Sequence, residues 1–99
     1  MAYFLALTIH LHLPDNGSLK GKRRELLSVR AALVRRFGAS VAEVDHHDLW
    51  QRSTLAAGLV GGSIKDLERV EAGLERYLDT RFPEGFRVER RLVSFSDLS

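Results

Sequence analysis

"AYFLALTIHLHL", Ala2 to Leu13, is the stretch on which the fold turns. Tyr3, Leu5, Leu7, Ile9, Leu11 and Leu13 share one face; Phe4, Ala6, Thr8, His10 and His12 share the other. A period of two marks a strand, because successive side chains of an extended chain point to opposite faces. The odd set is wholly apolar and must face a core. The even set, including both histidines, faces away.

Working outward, "LPDNGS" (13–18) is turn chemistry: Pro sets φ, and Asn and Gly accept positive φ. Ser18 caps a helix running to about Phe37, with Leu19, Leu26, Val29, Leu33 and Phe37 at helical spacing and Gly38 as a terminating glycine. Ser40 to His47 alternates as a strand. "HHDLWQ" separates it from a further strand, Arg52 to about Gly61, in which Leu55, Ala57 and Leu59 oppose Ala56, Gly58 and Val60. "GGS" (61–63) is a tight strand-to-helix turn, and Ser63 caps a second helix, Ile64 to Phe82. Its inner stripe is Ile64, Leu67, Val70, Leu74, Tyr77 and Leu78. "PEG" (83–85) precedes a last strand, Phe86 to Phe95. The order β-α-β-β-α-β, with right-handed crossovers, predicts a ferredoxin-like α+β fold: a four-stranded antiparallel sheet with two helices on one face. The first strand then lies centrally, between the third and fourth, in a single domain spanning 1–99.

Composition narrows the function. At 44% hydrophobic and 28% charged, the 99 residues describe a soluble globular domain rather than a disordered chain. With no apolar run near twenty residues, neither a membrane span nor a signal peptide is expected. The chain has no cysteine, which excludes disulfides, thiolate catalysis and Cys-based zinc sites and fits a cytoplasmic location. Twelve arginines against three lysines, with one Asn, one Gln and one Met, suit a thermophile or a GC-rich genome. The formal charge of +2 hides an asymmetry: seven basic residues and one acid lie between Lys20 and Arg36, three acids and no Lys or Arg between Ser40 and Gln51.

The outer sheet face is expected to carry Phe4, Ala6, Thr8, His10, Val41, Glu43, Asp45, Ala56, Gly58 and Val60. Small and apolar residues on an uncovered sheet ask for a cover, and a second copy of the chain is the simplest one. Phe4, Ala6, Val41, Ala56, Gly58 and Val60 form the expected homodimer interface.

Three constellations bear on chemistry. In "VAEVDHHDLWQRS" (41–53), Glu43, Asp45 and His47 point one way along a strand and Ala42, Val44 and His46 the other. Joined by His10 and His12 across the sheet, Glu43 and Asp45 would make a metal or small-ligand site, although the spacing matches no defined motif. The bland alternative is a polar hairpin end. A Ser53–His47 nucleophile pair lacks any supporting motif, so no enzymatic activity and no cofactor are expected. Trp50, at the hairpin tip, either anchors a partner or folds back to cap the core, the second being expected. On the first helix, Lys20, Arg24 and Arg35 share a stripe opposite the apolar one, with Lys22 and Arg23 flanking its N-terminus, an arrangement suited to RNA phosphates. Arg30 falls inside the apolar arc and must snorkel out or meet a carboxylate. The charged stripes of the second helix, Lys65, Arg69 and Arg76 beside Glu68, Glu75 and Asp79, read as a solvated face.

Two motifs, "SLKGKR" at Ser18–Arg23 and "SVAEVDHHDLWQRS" at Ser40–Ser53, resemble those of the YlxP-like family of small bacterial proteins of unknown function, and the similarity covers nearly the whole chain. The resemblance implies a ferredoxin-like domain with no family catalytic residues to transfer. Genes of that family often stand beside those of translation-initiation and ribosome-assembly factors, so it also implies a role near ribosomal RNA. The expected function is therefore a non-enzymatic, dimeric, RNA- or ribosome-associated protein, contacting RNA through Lys20, Lys22, Arg23, Arg24, Arg35 and Trp50.

Overall fold

Ser18 and Gly38 bracket the first helix as their chemistry requires. The Ser18 hydroxyl accepts the Gly21 N–H at 3.0 Å, satisfying a donor that the first turn would leave orphaned. Gly38 sits at φ 68°, in the left-handed region, so the N–H groups of Gly38 and Ala39 turn back onto Val34 O and Leu33 O. Ser63 caps the second helix in the same way, accepting from Asp66 N at 3.1 Å.

The computed structural model describes residues 1–13 and 17–98, so Pro14 to Asn16 of the first turn lie outside the described residues. The elements are β1 (Tyr3–His12), α1 (Leu19–Phe37), β2 (Ser40–Asp45), β3 (Arg52–Gly61), α2 (Ile64–Arg81), β4 (Phe86–Ser94) and a short 3-10 turn, Phe95–Leu98. The sheet runs β2-β3-β1-β4, with antiparallel pairing throughout and β1 in the centre as expected. Among the described residues no helix is long and apolar enough to cross a membrane.

Leu5, Leu7, Ile9 and Leu11 of β1 are buried against Leu26, Val29 and Leu33 of α1 and Leu67, Leu74 and Leu78 of α2. Both helices therefore cover the odd face of β1, and the even face is left without a layer. The expected stripe of α2 needs one revision. Ile64 is exposed, and Glu71 is buried instead, its carboxylate accepting from Arg90 Nε of β4 at 2.7 Å. That carboxylate raises the Arg90 pKa above its ordinary value.

The register of β2 corrects the outer face. Val41 pairs with Ala57 and Glu43 with Leu55, both residues of the core side. Val41 and Glu43 therefore point toward the helices, and Ser40 and Ala42 take the outer positions. A β-bulge between Glu43 and Asp45 then shifts the phase, bringing Asp45 opposite Thr54 and so onto the outer face. The strand stops at Asp45 rather than His47, because His46 takes φ 62° and turns the chain. Strict alternation cannot foresee a bulge, since one added residue inverts every later position.

Candidate nucleic-acid and ligand interface

The two sequence motifs meet in space. Lys22 is 2% exposed. Its ammonium pairs with Glu43 Oε2 at 3.1 Å and donates to the backbone carbonyls of His46 and His47. Ser53 donates to the same carboxylate oxygen of Glu43 at 2.7 Å. Burial pushes Glu43 up, but the hydrogen bonds from Ser53 and Lys22, the Lys22 charge and the nearby His47 outweigh it, so the carboxyl sits below its ordinary value. Lys22 is thus removed from the expected RNA-contacting set. It is a fixed cation that pins the hairpin turn onto the first turn of α1. His47 approaches Glu43 Oε1 at 4.0 Å. Glu43 stands between Ser53 and His47, so these two do not form the nucleophile pair considered above.

The adjacent histidines diverge, but on the sides opposite to those that alternation predicts, because the bulge and the turn at His46 invert the phase. His46 Nδ1 lies 3.0 Å from Thr54 Oγ1 on the outer side, and Thr54 Oγ1 lies 3.5 Å from His10 Nδ1. His10 Nε2 continues to Glu89 Oε1 at 2.8 Å, and Arg87 Nη1 donates to the same oxygen at 2.8 Å. The His10 contact and then the Arg87 charge hold the Glu89 carboxyl below its ordinary value. The proposed metal set does not assemble: His10, His12 and Asp45 share the outer face, and Glu43 faces the helices. Among the described residues no group of three or more His, Asp or Glu is placed to hold a metal ion.

The seven cations of α1 divide into two kinds. Lys22 is paired. Arg30 donates to Val41 O of the edge strand at 3.3 Å, a backbone carbonyl rather than the carboxylate considered above. Arg36 lies over the rings of Phe37 and Tyr77, 5.3 and 5.0 Å from their centroids. Lys20, Arg23, Arg24 and Arg35 are exposed and make no ion pair or hydrogen bond with another side chain among the described residues.

Trp50 does not seal the core. It is 51% exposed and lines a cavity of about 370 Å³ with His12, Leu49, Gln51 and Arg52. An adjoining cavity of about 490 Å³ on the outer side is lined by His10, His12, His46, Arg52 and Arg87, among others. Sequence reasoning missed its members Arg52 and Arg87. Their signal was their phase: Arg52 pairs directly with His12, and Arg87 with His10.

Fold and site together define a ferredoxin-like α+β domain with an unlayered sheet face and a cation-rich end. The chain belongs to the family described as "Protein of unknown function (DUF503)", whose model matches residues 4–90. It is 34% identical over 83 residues to "Uncharacterized protein YlxP" of Bacillus subtilis (strain 168), spanning 80% of this chain and 82% of that protein. Among solved structures it is similar to the de novo designed protein Foldit4, with TM-score 0.65, 12% identity, and coverage of 95% of this chain and 98% of that one. It is also similar to a point mutant of SnoaB, a cofactor-independent oxygenase from Streptomyces nogalater, with TM-score 0.53, 13% identity, and coverage of 92% and 91%. At such identities the likeness concerns the fold alone.

Proposed function

We propose that the chain is a non-enzymatic RNA-binding domain acting near the ribosome, with α1 as its phosphate-contacting element. The observation that carries this reading is the division of the α1 cations. Exposed cations that serve no structural contact are the ones available to phosphates. Here the three cations with structural tasks are occupied, and Lys20, Arg23, Arg24 and Arg35 are left exposed and unpaired among the described residues. The Lys22 contact ties the hairpin that carries the half-exposed Trp50 to the first turns of α1, where Lys20, Arg23 and Arg24 lie; Arg35 is in the last turn of the same helix. Phosphates and an aromatic surface are the two things a single strand of RNA engages.

The test is co-sedimentation with ribosomal particles, together with filter binding to ribosomal RNA, at several salt concentrations. Affinity should fall linearly on a log–log salt plot. Arg24→Gln and Arg35→Gln should each weaken binding across sequences alike and lower the slope by about one per lost phosphate contact. Arg69→Gln on α2, whose guanidinium is already paired with Asp66, serves as the control. Absence of binding at low salt, or full binding by both α1 variants, would remove the proposal.

A second reading concerns assembly. We infer that a second copy covers the apolar half of the open sheet, where Val60 is 69% exposed beside Phe4, Ala6, Ala56 and Gly58. Val41, on the core side, is no longer part of that surface.

A further inference from the structure

The cation-rich cavity at the end of the outer face is independent of α1 and has its own chemistry. Five of its lining side chains are cationic or can become so: His10, His12, His46, Arg52 and Arg87, and no carboxylate lines it among the described residues. Of the nearby carboxylates, Glu89 is taken up by two of the lining residues, His10 and Arg87, and Asp45, through Oδ1, accepts from the His46 backbone N–H at 2.7 Å. Glu89 thereby orients two of the cationic groups. The Arg52 guanidinium, the His12 imidazole and His46 Nε2 have no partner among the described residues. An arginine fork and two imidazole edges, without partners among the described residues and lining a space of about 490 Å³, suit a compact oxyanion. The planar fork of an arginine suits a phosphate monoester.

His12 and Arg52 also line the smaller cavity, whose wall is Trp50. The two spaces are therefore adjoining halves of one depression: a cationic half beside an aromatic one. A ligand carrying a phosphate and a flat ring a few ångströms apart would fill both. We propose that this depression binds a nucleoside 5′-phosphate, with the phosphate held by Arg52, His12 and His46 and the base stacked on Trp50. That chemistry is presented by a free mononucleotide and by the phosphorylated end of an RNA strand.

Trp50 is the only tryptophan of the chain, so its fluorescence reports on ligands that reach the hairpin tip. Titration with AMP should quench it saturably, and adenosine should bind at least tenfold more weakly. Arg52→Gln and His12→Gln, both at exposed positions, should each weaken AMP binding about tenfold or more while leaving the circular-dichroism spectrum unchanged. Arg24→Gln on α1 should leave AMP binding as it was, which separates this site from the helix surface. A hexanucleotide RNA with a 5′-phosphate, compared with its 5′-hydroxyl counterpart and with AMP, distinguishes the sources. A phosphorylated hexamer binding much more tightly than AMP assigns the site to an RNA end; equal affinity assigns it to a mononucleotide. Equal binding of AMP and adenosine, no saturation by millimolar AMP, or unchanged affinity in both Arg52→Gln and His12→Gln would overturn the inference.

Discussion

Lys22 and Glu43 form the one charged pair, among the described residues, whose cation is almost wholly out of water, and its worth depends on keeping both partners. Removing one partner of such a pair leaves the other charge partly buried and uncompensated. Lys22→Met should therefore cost about 3 kcal/mol of folding stability, and Lys22→Met with Glu43→Gln should recover part of that loss. The same pair makes stability depend on acid. Glu43 has a folded pKa below its ordinary value, so near pH 4 the unfolded chain binds more protons than the folded one, and stability rises with pH. The contribution is complete above the unfolded carboxyl's range of about 4.3 and is lost as pH falls through the lower folded value. Urea unfolding between pH 3 and 7 should show Glu43→Gln well below the parent at neutral pH, with the gap closing in acid. A constant gap across that range would mean that Glu43 contributes through packing and not through charge.

At the scale of the elements, much was legible because periods are local. The caps Ser18, Gly38 and Ser63 and the apolar spacings place α1 and β3 at the expected residues and the other elements within one or two of them. What could not be read was anything set by pairing across the sheet. The bulge after Glu43 is an added residue in β2, recognisable only against β3, and it splits Glu43 from Asp45 and dissolves the apparent metal set. Lys22 escapes sequence reading for a related reason: helical position alone does not reveal that a hairpin turn lies over it. Gly38 offers a clean test of the legible part. It holds φ 68°, and an added Cβ would meet nothing within 4 Å, so substitution carries a backbone cost alone. Gly38→Ala should destabilise by about 1 kcal/mol, measured by thermal or urea unfolding, with no change in RNA or nucleotide binding. An unchanged stability would imply that the helix end relaxes out of the left-handed conformation.

At the scale of the whole molecule, two helices layer one face of the sheet and the other face is open. The accessible surface is 6223 Å², against about 5,700 Å² expected for a monomer of this mass. The cationic end of the open face is polar, and its other half carries Phe4, Ala6, Ala56, Gly58 and Val60, the surface inferred above to meet a second copy. Val60, Phe4 and Val93 are register partners in one row across β3, β1 and β4; the next rows hold Gly58, Ala6 and Arg91, and then Ala42, Ala56, Thr8 and Glu89. A two-fold pairing, the ordinary solution for such surfaces, would set the apolar rows of two protomers together and leave Arg91 and Glu89 of the edge strand β4 at the rim. Burying about 500 Å² of apolar surface supplies on the order of 12 kcal/mol before association entropy and polar desolvation are subtracted. A contact of that size would be compatible with a dimer at micromolar concentration and would leave the cavity proposed for a nucleotide uncovered. Gly58→Arg would be a poor probe, because a Cβ there would lie 3.1 Å from the Phe4 ring and disturb the protomer itself. Val60→Arg is the better one, since that side chain is 69% exposed and contributes little to the core. Light scattering should give a dimer for the parent and a monomer for Val60→Arg, with unfolding midpoints compared at a concentration where both are monomeric. A parent that is monomeric at tens of micromolar would rule out the self-covered face and leave the whole open sheet available to RNA.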